Sequence, residues 1–108
     1  MQDVFKDLYE IIYDRKQNPR EGSYTCYLLK QGTDKILKKC AEECGETIIA
    51  AKNKENSETV GEISDLLFHL MVLMVNEGIP LEDVITELEH RREKQRNLKT
   101  FHKVDRNT

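Results

Sequence analysis

The chain has 108 residues, a net charge of −3 and a pI near 5.6, a size that fits one folded domain. Hydrophobic residues make up 38% and charged residues 34%, with only five Gly and two Pro, which excludes collagen-like and disordered chains and favours helices. No apolar run reaches the ~18 residues of a membrane span, and the first residues lack the pattern of a signal peptide. The excess of Lys and Arg that is typical of a nucleic-acid binder is also missing. We therefore expect a cytoplasmic protein without membrane or nucleic-acid partners.

Apolar residues recur at helical spacing and predict an all-α bundle of four main helices with one shorter helix. The main helices are predicted at about 3–16, 33–54, 57–77 and 81–96, and the short helix at 23–31. Ser23 is a candidate N-cap of the short helix, and Gly32 is a natural stop at its end. We expect residues 1–97 to form the folded domain and residues 98–108 to form a polar tail.

Apolar stripes predict which helix faces form the core. On the third helix the stripe steps by four and three residues, and it consists of Leu37, Ala41, Cys44, Ile48 and Ala51. The segment from Val60 to Val75 is apolar on nearly every face and predicts a buried central helix, with more apolar surface than one protomer can cover. This favours a homodimer. The three cysteines complete no zinc pattern and are expected to be reduced and buried.

Two pairs of carboxylates stand out on the third and fourth helices, and the pair on the third helix lies away from its apolar stripe. Glu43 and Glu46 are spaced i,i+3 on one helix, and Glu62 and Asp65 are spaced i,i+3 on the next, so each pair projects from one helix face. Burying unpartnered carboxylates is costly, and a divalent cation would reverse their repulsion. Mg²⁺ prefers oxygen ligands and leaves part of its shell to water and substrate phosphates. The pattern therefore predicts a magnesium site between the two helices.

Each pair taken alone has a simpler explanation. A Glu-Glu-x-x-Glu sequence on a helix is usually a solvated face, and acidic residues near a helix start interact favourably with the helix dipole. The joint pattern is harder to explain in this way, because Glu-Glu-x-x-Glu is followed after 15 residues by Glu-x-x-Asp and then by a wholly apolar helix.

At these motifs the sequence resembles the MazG-like all-α nucleoside triphosphate pyrophosphohydrolases. The segment from Ser-Tyr-Thr at 23–25 through Lys-Lys at 38–39, together with 48–52, 65–70 and 81–84, is similar to the phosphoribosyl-ATP pyrophosphohydrolase family. Cys40-Ala41 stand where that family is expected to have Val-Gly. The resemblance implies Mg²⁺-dependent hydrolysis of phosphoribosyl-ATP to phosphoribosyl-AMP and pyrophosphate, the second step of histidine biosynthesis, by a homodimer.

The resemblance also implies roles for individual residues. The metal ligands and catalytic carboxylates would be Glu43, Glu46, Glu62 and Asp65. Glu42, the first glutamate of the motif, would be a ligand itself or would support the ligands. His69, at i+4 from Asp65, is a candidate ligand or proton shuttle, although a hydrogen-bonded core histidine is the simpler interpretation.

Cationic residues are candidates for substrate binding despite the net negative charge. Lys39 shares the helical sector of Glu43 and Glu46, where it could contact the triphosphate. A monophosphate needs a cationic partner of its own. The candidates for the phosphoribosyl group are Arg15, Arg20, Ser23, Tyr24 and Lys30.

Two other functions stay open at this point. A MazG-type house-cleaning pyrophosphatase, acting on ordinary or non-standard nucleoside triphosphates, would use the same carboxylates. A non-enzymatic helical module could instead present the acidic residues to a basic partner, and this would require that the two pairs lie apart and exposed.

Overall fold

The computed structural model describes residues 3–97, and all regular secondary structure in this range is helical. The helices are α1 (Val4–Gln17), α2 (Tyr24–Gln31), α3 (Thr33–Lys52), α4 (Asn56–Glu77) and α5 (Leu81–Arg96). No predicted boundary differs from these by more than two residues, so the all-α prediction is confirmed. The predicted tail at 98–108 lies outside the described residues.

Short polar side chains begin the first two helices. The Asp3 carboxylate accepts a hydrogen bond from the backbone N–H of Lys6, and Ser23 Oγ accepts one from the backbone N–H of Cys26 at 3.1 Å. These bonds satisfy N–H groups that have no partner within the helix. The predicted N-cap at Ser23 is therefore confirmed.

Glycine ends α2 and α4. Gly32 has φ 93° and ψ −172°, a conformation largely closed to residues with a Cβ atom, and it joins α2 directly to α3. Gly78 is left-handed, with φ 73° and ψ 26°, and its N–H donates to the carbonyl of Val75. Pro80 then leads into α5, so the chain reverses without a long loop.

The core lies where α1, α2 and α3 pack against the C-terminal half of α4. Its fully buried side chains are Ile12, Leu28, Ile36 and Val72, and Met71 and Val75 extend it along α4. Burial of an aliphatic side chain of this size contributes about 1.5–3 kcal/mol. This small cluster fixes the position of α4 against α3, the pair of helices that carries the acidic motifs.

The core stripe predicted on α3 is wrong for the single protomer. Leu37 is 46% exposed and Ile48 58% exposed, and Cys44 is also exposed, against the expectation for the cysteines. The buried positions of α3 are Ile36, Glu43 and Ala50. The buried stripe is thus displaced by one residue, about 100° around the helix, because α4 packs on the side of Glu43.

The prediction of a buried α4 is correct only for its C-terminal half. His69 and Val72 are buried, whereas Val60, Ile63 and Leu67 are at least 39% exposed. The N-terminal half contacts α3 through one face only, so its other apolar side chains stay in solvent.

α5 adds little to the core. Leu81 is its only buried residue in the described structure, and Leu88 is 56% exposed. The protomer is elongated, with a radius of gyration of 16.8 Å, against ~13 Å for a compact chain of about 100 residues. Between residues 3 and 97, every helix is too short or too polar to cross a lipid bilayer.

Candidate metal centre and substrate cleft

Three carboxylates from α3 and α4 converge between the two helices. Glu43, Glu62 and Asp65 each offer an oxygen atom, and these atoms all lie within 4.8 Å of one another. Glu43 is only 7% exposed, Glu62 is half-buried and Asp65 is exposed, so the cluster opens from the interior toward solvent. The i,i+3 spacing on α4 and the packing of α4 onto the Glu43 side of α3 together produce this arrangement.

Burial and repulsion between the carboxylates shift their protonation. Burial first, and then the neighbouring carboxylates of Glu46 and Asp65, raise the pKa of Glu43 to about 7. Burial and the same two neighbours also raise the pKa of Glu62. A cluster that retains protons because it is buried and its members repel one another is a site where a cation gains strong attraction.

The orphaned acceptors of the cluster indicate what this cation is. Glu43 Oε2 and Glu62 Oε1 are buried and have no hydrogen-bond partner within residues 3–97. An unsatisfied buried acceptor costs about 1–3 kcal/mol, and more when it is charged. A divalent cation coordinated by oxygen would satisfy both atoms, and a donor set made only of carboxylates suits Mg²⁺. The residues therefore fit the predicted ion.

Glu46 lies beside the group of three. Its carboxylate helps to raise the pKa of both Glu43 and Glu62, and it lines a smaller cleft of about 150 Å³ together with Glu55 and Glu58. The structure thus brings all four predicted ligands together, three of them in one compact set and Glu46 at its edge.

Glu42 and Lys39 form an ion pair next to the cluster. Lys39 Nζ lies 3.2 Å from Glu42 Oε1, and the Glu42 side chain is 44% exposed. The Glu42 carboxylate raises the pKa of Lys39, and Tyr24 and Glu43 contribute to the same shift. Lys39 therefore remains charged at the mouth of the cluster, while Glu42 engages this lysine.

His69 connects α4 to α2. His69 Nδ1 lies 2.7 Å from the main-chain oxygen of Asp65, and Nε2 lies 2.8 Å from the Tyr24 hydroxyl. A carbonyl oxygen only accepts, so Nδ1 carries a proton, and in the neutral imidazole Nε2 then accepts a hydrogen bond from the tyrosine. His69 is 5% exposed, and the interpretation as a hydrogen-bonded core histidine is confirmed.

The remaining predicted substrate residues line one cleft of about 810 Å³ along α1, the 18–23 turn and α2. The members of the predicted set are Arg15, Arg20, Ser23, Tyr24 and Lys30. Sequence patterns did not point to Lys16, Cys26 or Asn76, which line the same cleft. The charge of Lys16 beside Arg15 was an available signal, whereas only the packing of α4 places Asn76 there.

An all-α fold in which Glu-Glu-x-x-Glu and Glu-x-x-Asp face each other from adjacent helices defines the MazG-like class of pyrophosphohydrolases. Within this class, the family model for phosphoribosyl-ATP pyrophosphohydrolase matches residues 5–92. The chain belongs to the phosphoribosyl-ATP pyrophosphohydrolase family.

Relatives with similar sequences carry matching names. The chain is 53% identical over 93 residues to the phosphoribosyl-ATP pyrophosphatase of Pelotomaculum thermopropionicum, covering 86% of this chain and 95% of the relative. It is 54% identical over 101 residues to that of Clostridium botulinum, covering 94% and 92%. It is also 55% identical over 84 residues to the histidine biosynthesis bifunctional protein HisIE of Thermoanaerobacter pseudethanolicus, covering 78% of this chain and 39% of the relative.

Proposed function

We propose that the protein hydrolyses phosphoribosyl-ATP to phosphoribosyl-AMP and pyrophosphate with Mg²⁺, in the second step of histidine biosynthesis. Family membership and the names of the relatives support the substrate and the pathway. The observation that carries the proposal is the convergence of Glu43, Glu62 and Asp65, two of which have buried oxygens without partners among the described residues.

The residues divide the chemistry between them. The bond to be broken joins the α and β phosphates, and the Mg²⁺ ion, when bound, supplies charge neutralisation and orientation of the attacking water. Glu43, Glu62 and Asp65, with Glu46 at their edge, would hold this ion. A carboxylate oxygen of these residues that does not hold the ion would accept the proton of the water. Lys39, which pairs with Glu42 at 3.2 Å, would bind the polyphosphate chain.

The apolar surface supports a homodimer. Exposed apolar side chains occur on α3, α4 and α5, and they include Leu37, Ile48, Ile63, Leu67 and Leu88. The exposed stripe on α3 is the one that the sequence pattern assigns to a core. A second copy of the chain would bury this stripe, because a twofold interface brings the same surface patch of the two protomers together.

A pyrophosphate-release assay tests the proposed function. Phosphoribosyl-ATP, ATP and dUTP are compared with Mg²⁺ and after its removal by EDTA, and the expected result is strong preference for phosphoribosyl-ATP and loss of turnover in EDTA. The Asp65→Asn protein is the negative control. Similar rates on all three nucleotides would favour a house-cleaning pyrophosphatase, and absence of any turnover would favour the interaction module.

A further inference from the structure

The cleft along α1 and α2 concentrates positive charge in an acidic protein. Its lining contains four cationic side chains, Arg15, Lys16, Arg20 and Lys30, and one acidic side chain, Glu21. The whole chain has a net charge of −3. A local excess of cations in a concave site raises the concentration of anions there and favours binding of phosphate groups.

Most of this charge is not neutralised by neighbouring residues. In the described range Arg15 pairs with Asp14 at 3.3 Å, whereas neither Arg20 nor Lys30 forms a salt bridge. Lys16 Nζ donates to the carbonyl of Val75 at 3.3 Å, a bond that fixes the ammonium without removing its charge. These groups are available to a ligand.

The Cys26 thiol holds the backbone at Arg15 and Arg20 in place. The backbone N–H of Arg20 donates to Cys26 Sγ at 3.2 Å, and the thiol donates to the main-chain oxygen of Arg15 at 3.6 Å. The sulfur thereby ties the 18–23 turn to the end of α1. Groups held in place before a ligand arrives bind it at a lower entropic cost.

Tyr24 connects the cleft to the metal centre. This side chain lines the cleft, and its hydroxyl bonds to His69, which in turn contacts the main chain of Asp65. Phosphoribosyl-ATP has anionic groups at two ends, a triphosphate and a phosphomonoester on the second ribose. A site for this molecule needs a cationic pocket next to the metal centre but separate from it.

We propose that this cleft binds the phosphoribosyl group of the substrate, with the phosphomonoester paired to Arg15, Arg20 and Lys30. The inference rests on the proposed function and extends it to substrate selection. ATP lacks the phosphomonoester, so the cleft contributes to the binding of phosphoribosyl-ATP and not to that of ATP.

Steady-state kinetics on both nucleotides test the assignment. In Arg20→Gln and Lys30→Gln, the kcat/KM ratio of phosphoribosyl-ATP to ATP is expected to fall at least tenfold, mainly through KM for phosphoribosyl-ATP. A tenfold change corresponds to about 1.4 kcal/mol. Lys38→Gln is the matched control, because Lys38 is an exposed lysine outside the cleft. The kcat/KM ratio of this variant should equal that of the wild type. An unchanged ratio in both cleft variants, or equal losses on both nucleotides, would overturn the assignment.

A binding measurement separates this inference from the proposed function. Ribose 5-phosphate, titrated calorimetrically into the wild-type protein without Mg²⁺, is expected to bind, and the Arg20→Gln substitution is expected to weaken this binding at least tenfold. Binding of equal strength in both proteins, or none in the wild type, would refute the cleft assignment whatever the hydrolytic activity. A wild-type protein that binds ribose 5-phosphate but hydrolyses no phosphoribosyl-ATP would refute the proposed function alone.

Discussion

The hydroxyl of Tyr24 donates a hydrogen bond to Nε2 of His69 over 2.8 Å, and this bond links the first turn of α2 to the helix that carries Glu62 and Asp65. The two rings meet edge to face, with centroids 5.7 Å apart. His69 is held from its other side by the main chain of Asp65. The wall of the cationic cleft and the acidic cluster are therefore fixed relative to each other.

Removal of the Tyr24 hydroxyl should destabilise the protein. The Tyr24→Phe substitution keeps the ring and leaves the buried Nε2 of His69 without its donor, at a cost of about 1–2 kcal/mol in the free energy of unfolding. Urea denaturation measures this change. Tyr27→Phe is the control, because the Tyr27 hydroxyl has no hydrogen bond within residues 3–97. Equal effects of the two substitutions would contradict a specific role for the Tyr24–His69 bond.

Neutralising one carboxylate should stabilise the metal-free protein and abolish its activity. Glu62→Gln removes a charge that repels Glu46, Asp65 and Glu58, so the melting temperature in EDTA is expected to rise. The same substitution removes a proposed ligand, so MgCl₂ should no longer raise the melting temperature and turnover should fall at least ~100-fold.

Differential scanning fluorimetry and the pyrophosphate assay measure these two effects in parallel. Glu89→Gln on α5 makes the same chemical change at an exposed position and should leave both the melting temperature and the turnover unchanged. A Glu62→Gln protein that retains stabilisation by Mg²⁺ would exclude Glu62 from the metal centre.

Stability of the metal-free protein should depend on pH through Glu43. Its pKa of about 7 in the folded state lies above the ordinary value of 4.5, so the folded state holds a proton that the unfolded state releases. The stability that this proton gives to the folded state is fully present below pH 4.5 and is lost as the pH rises toward 7.

The melting temperature in EDTA, measured at several pH values across this interval, tests the effect. It should depend less on pH in the Glu43→Gln variant than in the wild type. Mg²⁺ competes with the same proton, so stabilisation by the ion should increase as the pH rises through 7. Metal-free stability that rises with pH in the wild type but not in Glu43→Gln would contradict a raised pKa at Glu43.

The exposed stripe on α3 should determine the oligomeric state. Ile48 is 58% exposed in the single protomer, and Ile48→Glu places a charge in the proposed interface. Light scattering should show a dimer for the wild type and a folded monomer for this variant. Lys38→Glu, an exposed substitution on the same helix, should remain dimeric. A monomeric wild type at micromolar concentration would refute the proposed dimer.

Local sequence was sufficient to predict the helices. Their boundaries follow from the period of apolar residues and from caps such as Ser23 and Gly32, which act over a few residues. The i,i+3 spacing likewise placed Glu43 beside Glu46 and Glu62 beside Asp65 without knowledge of the fold, because a helix fixes this geometry by itself.

Local sequence was not sufficient to predict which face of each helix is buried. The apolar pattern on α3 predicted a core stripe through Leu37 and Ile48, whereas Ile36 and Ala50 are the apolar residues buried in the protomer. The choice depends on where α4 packs, and that contact joins residues far apart in sequence. The same packing turns Glu43 inward and raises its pKa.

The sequence by itself determined the all-α class, the order of the helices and the pairing of the acidic residues, because each depends on interactions within one or two turns of a helix. The tertiary structure alone decided that Glu46 lies at the edge of the set formed by Glu43, Glu62 and Asp65, that Tyr24 reaches His69, and that Lys16 and Asn76 line the cationic cleft. These relationships join separate helices, and the burial of the shared core sets their distances and orientations.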